Sequence, residues 1–475
     1  MRAWEMAEQL RGKTATVLGL GISNLPLIDF LLKHGVRVTA RDGKRQSELG
    51  TVPEELLARG VPLIAGPSYL EGINEQLLFR TPGLRPDRPE LLAAVERGSV
   101  LTSEMELFLE LTPATVIGVT GSDGKTTTTT LTGLLLEKEC ERQGRGRVYV
   151  GGNIGRPLLP LVEEMTSEDF AVVELSSFQL QTVTRSADFA ALTNLSENHL
   201  NWHVDMAEYV RAKTNIFAHG QNRRVVINAE NAESTALLAK IRQPVTLFSS
   251  AKTDAAAFSS LQKKGDSAVY ISGGQICYSD GERTEPLLDV ANIRLPGRHN
   301  LENYMTALAL THRMVSRESI LAVAREFTGV RHRLEPVREL DGVRYYNSSI
   351  DSSPSRTAAA LSALAPEKPI VICGGADKKC PFEPLAQALC EHAKAVVLTG
   401  QTADRIREVL KEQPAVKAGE LPIYGDPDFQ RAVELARAIA QSGDTVLLSP
   451  ACTSFDAFRN FEERGDRFCE IVRGF

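Results

Sequence analysis

Lys125, Thr126 and Glu174 are the residues from which chemistry can be argued first. The lysine and threonine close the stretch Thr120-Gly121-Ser122-Asp123-Gly124-Lys125-Thr126-Thr127, which follows the mostly β-branched run Val116-Ile117-Gly118-Val119. Such a run predicts a buried strand, and Leu131, Leu134 and Leu135 beyond it fall at helical spacing. Strand, glycine turn and helix is the setting in which backbone N–H groups converge on an anion. Glycines remove the Cβ that would block them, and the helix N-terminus adds partial positive charge. A lysine there reaches a β/γ-phosphate, and a threonine hydroxyl suits Mg²⁺. Val119 stands where the usual G-x-x-x-x-G-K-[ST] pattern has its first glycine, so the loop is a compact variant, T-G-x-x-G-K-T. The competing reading, a glycine turn before a helix with a surface lysine, leaves the agreement of strand, glycines, lysine and threonine to chance.

Glu174 ends the apolar run Ala171-Val172-Val173. A carboxylate at a strand end suits a Mg²⁺ ligand near a triphosphate, or a solvated strand terminus. His199 follows the strand expected at 190–194 and is either a metal or substrate group in the same crevice or a hydrogen-bonded structural histidine. Residues 209–213 have helical spacing and bring Lys213 as a further basic group. His299, Asn300 and Asn303 share one side of an expected helix, where they either orient a base or ribose or cap the helix. Lys378, after the strand-to-glycine turn at 369–375, and Ser454, after a strand at 445–448, suit a carboxylate substrate or are solvated loop residues.

These groups need strands to carry them. Residues 14–18 and 36–40 read as strands around a helix, with Gly19-Leu20-Gly21 at the first strand end and Arg41-Asp42 at the second. This is a βαβ unit with a G-x-G turn, but Asn24 replaces the third glycine of the dinucleotide fingerprint. Three readings stay open: a nucleotide diphosphate other than NAD, a dinucleotide with Asp42 on its ribose, or a structural turn. Thr81-Pro82-Gly83 turns at the end of a strand at 77–79, where a doubly wound sheet lines its ligand crevice. Short runs separated by glycines between 245 and 288 predict a small antiparallel excursion. Strands at 343–346, 369–372, 395–398 and 445–448, with a helix from Thr357, make the last third α/β again. A chain of 475 residues suggests roughly three domains, here 1–112, 113–330 and 331–475.

Composition excludes several classes. Hydrophobic residues at 43% and charged residues at 24% are those of an ordinary globular protein, and a net charge of −6 leaves no nucleic-acid footprint. No apolar run approaches the roughly 20 residues that span a membrane. Met1-Arg2-Ala3-Trp4-Glu5 has no apolar signal region, and the seven cysteines form no C-x-x-C pair. The expectation is a cytoplasmic protein with free thiols.

Five stretches occur in a telling order: Thr120-Gly-Ser-Asp-Gly-Lys-Thr126, Glu174-Leu-Ser-Ser-Phe-Gln-Leu180, His299-Asn-x-x-Asn303, Arg331-His-Arg333 and Leu448-Ser-Pro-Ala-Cys452. Together they resemble the Mur ligases of peptidoglycan synthesis, over nearly the whole chain and most closely the branch that adds D-glutamate. The phosphate loop alone also fits folylpolyglutamate synthetase. The resemblance implies an N-terminal Rossmann-like UDP-binding domain, a central P-loop ATPase-type domain with a parallel sheet and a small antiparallel sheet, and a C-terminal Rossmann-like domain. It implies the substrates UDP-N-acetylmuramoyl-L-alanine and D-glutamate, ATP as phosphoryl donor and two Mg²⁺ ions; beside these the expectation is no nucleic-acid or membrane partner, and a monomer. By position, Gly121, Ser122, Asp123, Gly124, Lys125, Thr126, Thr127, Asn303 and Arg333 would serve ATP. Thr126, Glu174, His199 and a carbamylated Lys213 would hold metal. Ser23, Asn24, Arg41, Asp42, Thr81, Pro82, Gly83 and Asn153 would hold the UDP substrate, and Lys378, Ser454 and Phe461 the D-glutamate.

Three positions depart from the family pattern. Ser348 stands where an aspartate near the ATP ribose is expected, Ile350 where a lysine near the glutamate site is expected, and Asn198 where an aspartate often precedes the metal histidine. None is the phosphate lysine or an expected metal ligand. Other ATP-dependent amide ligases, and a regulator that hydrolyses ATP without ligating, are the competing functions.

Overall fold

The computed structural model describes residues 10–197, 202–220, 222–295, 297–377 and 381–475. The chain divides into two compact units, Met1–Phe327 and Thr328–Phe475.

The first unit holds two sheets. Strands β1 (Thr14–Leu18), β2 (Arg37–Asp42), β3 (Leu63–Ala65), β4 (Leu77–Arg80) and β5 (Val100–Thr102) form a parallel sheet in the order β3-β2-β1-β4-β5. The chain reverses direction across this sheet between β1 and β4, so their C-terminal ends frame a crevice. The second sheet contains β6 (Thr115–Thr120), β7 (Val148–Gly152), β8 (Phe170–Glu174), β9 (Phe189–Leu192), β10 (Arg224–Asn228), β11 (Val245–Ser249), β12 (Ser267–Ser272), β13 (Gln275–Ser279) and β14 (Thr284–Asp289). Its order is β14-β13-β12-β11-β10-β9-β6-β8-β7. Strand β6 pairs in parallel with both β8 and β9, so the loops after all three leave the sheet side by side. These strands are buried on both faces, which is why they read as continuous apolar runs rather than as alternation.

The antiparallel excursion is present as β12–β14, but it extends the edge of the nine-stranded sheet rather than forming a sheet of its own. Strand β11 and its pairing with β12 are parallel. Short strands between glycine turns look alike in sequence whichever way the next one runs.

One core joins the two sheets. Val17, Leu27 and Phe79 of the first, Val116, Val173 and Leu192 of the second, and Phe108 and Leu109 of the helix Glu104–Leu111 belong to a single buried cluster. Ser103 caps that helix by accepting a hydrogen bond from the Glu106 N–H, as a serine before an apolar helix predicts.

The second unit is a six-stranded sheet: β15 (Glu335–Leu340), β16 (Val343–Asn347), β17 (Ile370–Gly374), β18 (Ala395–Thr399), β19 (Ile423–Gly425) and β20 (Thr445–Leu448), in the order β15-β16-β20-β17-β18-β19. All pairs are parallel except β15 with β16. Strand β15 is a charged edge strand, EPVREL, and carried no apolar signal to find it by. The helix expected from Thr357 begins at Pro354, because a proline is well suited to a first helical turn.

Candidate active site

The phosphate-loop stretch folds as its sequence requires. Strand β6 ends at Thr120, and the helix Lys125–Gln143 starts directly after Gly124. Gly124 has φ +76°, and a Cβ there would lie 2.4 Å from Asn303 Oδ1, so the position admits only glycine. The loop is pinned from β9: Asn194 accepts from the Ser122 N–H through its carbonyl and from the Asp123 N–H through its side chain, at 2.9 Å each. The Thr193 hydroxyl donates to the Asp123 carbonyl at 2.6 Å. Ser122 spends its hydroxyl on the Ser196 carbonyl and the Tyr209 hydroxyl, at 3.1 and 2.9 Å, so this side chain braces the loop. The Lys125 ammonium lies 2.9 Å from the Ser122 carbonyl, folded back over the loop it follows.

Two of the residues expected to hold metal, Thr126 and Glu174, meet here, with Asn153 of the expected substrate set beside them. The Thr126 hydroxyl donates to Glu174 Oε2 at 2.8 Å, and the Asn153 amide donates to Glu174 Oε1 at 2.8 Å. Strands β6, β7 and β8 each deliver one of the three from the same sheet edge. Glu174 is almost fully buried, yet its two oxygens face polar partners rather than apolar packing. Among the described residues no three His, Cys, Asp or Glu side chains form a metal cage. A hydroxyl and one carboxylate beside a phosphate loop nevertheless fit Mg²⁺, which takes hard oxygens and is usually bound by one or two carboxylates plus substrate phosphates. His199 lies outside the described residues.

Lys213, on the helix Met206–Thr214, points into the base of the loop. Its ammonium donates to the Gly121 carbonyl at 2.7 Å and the Thr120 hydroxyl at 3.3 Å, and sits 4.7 Å from the centre of the Tyr209 ring. Only 2% of the residue is exposed. Burial, reinforced by the nearby Lys125 charge, pushes its ammonium well below the ordinary lysine range, while Glu174 and Asp123 oppose the shift. Asn303, on the helix Arg298–Thr311, is buried against Gly124 and accepts from the Thr128 hydroxyl at 3.3 Å.

At the crevice between β1 and β4 the expected nucleotide residues hold the turn itself. The Asn24 amide donates to the Leu18 and Gly19 carbonyls at 3.2 and 2.7 Å. Asp42 accepts from the Leu20 and Lys44 N–H groups, both at 2.8 Å. Arg41 is buried and donates to the carbonyls of Tyr69, Glu71 and Gly72. Ser23 precedes the helix Asn24–Lys33 without capping it through its side chain. Gly19 has φ +87°, and a Cβ there would meet Thr81 at 2.7 Å, so β1 and the Thr81-Pro82-Gly83 turn close on one another.

In the second unit, Ser454 is buried and its carbonyl accepts from Ala457 and Phe458. Phe461 opens the helix Phe461–Arg473, and its carbonyl accepts from the Ser349 hydroxyl at 2.8 Å. Arg333 is exposed in the loop before β15. Lys378 lies outside the described residues, as does Asn198. Ser348 is fully buried and accepts from the Leu334 N–H at 3.1 Å. Ile350 is partly buried, with its N–H on the His332 carbonyl. Arg464 escaped sequence reasoning: it is buried, donates to both the carbonyl and the hydroxyl of Ser349, and burial lowers its pKa to about 10. Thr193, Asn194 and Tyr209 escaped it too. Their clue was only that they sit where a strand end or helix faces the loop.

Comparison with known proteins agrees with this architecture. Residues 13–103 match the Mur ligase MurD-like N-terminal domain, 119–311 the Mur ligase middle domain, and 332–452 the Mur ligase glutamate ligase domain. The UDP-N-acetylmuramoylalanine–D-glutamate ligase of Clostridium perfringens is 44% identical over 471 residues, covering 98% of each chain. That of Symbiobacterium thermophilum is 45% identical over 461 residues, covering 96% of this chain and 97% of its own. The crystal structure of UDP-N-acetylmuramate-alanine ligase from Thermotoga maritima shares the fold at 18% identity, with a TM-score of 0.52 over 97% of this chain and 99% of that one.

Proposed function

The chain belongs to the Mur ligase family, and we propose that it is an ATP-dependent ligase that adds D-glutamate to UDP-N-acetylmuramoyl-L-alanine. The amino acid and the acceptor follow from relatives of this name that align from end to end. One observation supports the ATP chemistry: the Thr126 hydroxyl and the Asn153 amide hold the two oxygens of Glu174 directly beyond the phosphate loop that carries Lys125.

A carboxylate is a poor electrophile. Transfer of the γ-phosphoryl group of ATP to the L-alanine carboxylate gives an acyl phosphate and ADP. The amine of D-glutamate then attacks the carbonyl carbon, a tetrahedral intermediate forms, and its collapse expels phosphate as the nitrogen loses a proton. The loop amides and Lys125 hold the phosphates and offset their charge. Thr126 and Glu174 would hold Mg²⁺, which when bound neutralises charge developing on the transferred group. Asn153 fixes the Glu174 carboxylate from its other oxygen. Burial pushes the Lys213 ammonium well below the ordinary lysine range, which favours the neutral amine, the form that adds to CO₂ in carbamylation. The carbamate would bring a negative charge toward a second Mg²⁺ site with His199. Asn303 and Arg333 serve the nucleotide, and the turns at Gly19 and Thr81 hold the UDP group, with Ser23, Asn24, Arg41 and Asp42 around them. Lys378, Ser454 and Phe461 receive D-glutamate. The domain bounds 1–112, 113–330 and 331–475, a monomer and a cytoplasmic location go with this reading. Among the described residues the six cysteines are free, and no helix is long and apolar enough to cross a membrane.

The test is phosphate release from ATP and Mg²⁺ with each co-substrate omitted in turn. Release requiring both UDP-N-acetylmuramoyl-L-alanine and D-glutamate is the expected result. Release with L-lysine or diaminopimelate in place of D-glutamate moves the step within the family, and release with neither co-substrate removes the ligase.

A further inference from the structure

Two arginines bracket the Thr81-Pro82-Gly83 turn, and each reaches out of the first sheet into the second. Arg80, at the end of β4, is 1% exposed. Its guanidinium donates to the carbonyls of Pro82 and Leu84 in its own turn, at 3.2 and 3.0 Å, and to the Phe178 carbonyl at 2.6 Å and the Thr182 hydroxyl at 3.3 Å. Phe178 and Thr182 lie in the segment that follows Glu174. Arg85, on the far side of the turn, donates to the Trp202 carbonyl, to Asp87, and to Glu208 Oε1 at 3.0 Å, with its guanidinium 5.1 Å from the centre of the Trp202 ring. Glu208 lies in the first turn of the helix that carries Lys213. The two arms meet: Phe178 and Trp202 pack edge to face at 4.5 Å, and the Trp202 N–H points at the Gly83 carbonyl at 3.5 Å. Arg80, Phe178, Trp202 and Arg85 thus close a ring around the turn.

A stability role alone accounts poorly for this choice. A buried guanidinium with no direct ion pair among the described residues is expensive, and its forked donors are what allow it to grip carbonyls from two segments at once. Burial lowers the Arg80 pKa only to about 10, so it stays charged. The ring joins the two places that a bipartite substrate must reach together.

We propose that Arg80 and Arg85 are positioning residues that fix the spacing between the diphosphate-binding turn and the phosphoryl-transfer centre, so that a substrate held by its nucleotide presents its carboxylate to ATP. The proposal rests on the functional reading above. Binding energy from the remote nucleotide then appears as rate at the carboxylate rather than as affinity.

The test compares UDP-N-acetylmuramoyl-L-alanine with nucleotide-free N-acetylmuramoyl-L-alanine in wild type and Arg85→Ala. A misplacement of about 1 Å costs on the order of 100-fold in rate. The expected loss in kcat with the nucleotide substrate is therefore about 10- to 100-fold, with KM changed by less than about threefold. The rate with the nucleotide-free substrate stays within about twofold of wild type, so the advantage conferred by the nucleotide shrinks. Equal loss on both substrates marks a merely structural arginine and overturns the proposal, as does an unchanged nucleotide advantage or a wild type that shows none. Arg85→Lys, which keeps the charge and loses the fork, carries the same test where the alanine variant does not fold. A wild type that releases no phosphate with the nucleotide substrate and D-glutamate breaks the functional reading instead, and is told apart by that control.

Discussion

The chain makes a glycine turn between a strand and a helix after β1 and again after β6, and uses the two differently. At Gly19 the surrounding polar side chains are turned inward onto backbone: Asn24 holds two carbonyls, Asp42 holds two N–H groups, and Arg41 holds the neighbouring loop. At Gly124 Ser122, Thr193 and Asn194 hold the loop, and beyond it side chains meet one another: Thr126 on Glu174, and Asn153 on the same carboxylate. A turn built in the first way offers backbone to a ligand and should bind. A turn built in the second way offers a cation and oxygen donors and can stabilise charge that changes during a reaction. The shared strand–turn–helix geometry is therefore not what separates binding from catalysis. The separation lies in where the side-chain hydrogen bonds are spent.

Variants can break that contrast. Lys125→Ala should produce the largest effect, a fall in phosphate release of about 1,000-fold or more, since in the proposed function this charge offsets that of the transferred group. A rate near wild type would reduce the second loop to a binding turn. Glu174→Gln keeps the shape and the contact with Thr126 but removes the charge. It should lower kcat by about 100-fold and raise the Mg²⁺ concentration needed for half-maximal rate, and an unshifted Mg²⁺ titration would take Glu174 out of metal binding. Asp42→Asn should act on binding, raising KM for the UDP substrate by about 10-fold with kcat held within about twofold, because it loosens the first turn without touching the second loop. A matching drop in kcat would erase the distinction. Asn24→Ala should give the smallest effect. The Leu18 and Gly19 carbonyls lose the amide that joins them, so chemical denaturation should report a loss of about 1–3 kcal/mol, with turnover at saturating substrate unchanged.

Much of the second loop was legible because its signals are local. Strand, glycines, lysine and helix follow one another within a dozen residues, and Glu174 ends its own apolar run. The role of Asn24 was not legible in the same way. An asparagine after a glycine turn reads as a ligand group, and only the fold reveals that its amide faces back to Leu18 and Gly19. Arg80 and Arg85 give no local signal, since their acceptors lie about a hundred residues further along the chain, in Phe178 and Trp202. Sheet order belongs to the same class. Nothing local says that β20 inserts between β16 and β17, or that β12 to β14 continue an existing sheet. The edge strand β15 was hidden by its charges, which suit a solvated sheet edge as well as they suit a loop.

The single core that runs from Val17 through Phe108 to Val116 and Leu192 bears on how the first unit comes apart. A fragment ending near residue 112 would carry Phe108, Leu109 and their neighbours into water with nothing to cover them, and aggregation is the expected fate of such a piece. In the intact chain the amides of β1 and β6 should exchange with solvent together, in one cooperative opening, although they belong to different sheets. What looks like two modules in sequence would then behave as one unit of folding, lost or regained as a whole.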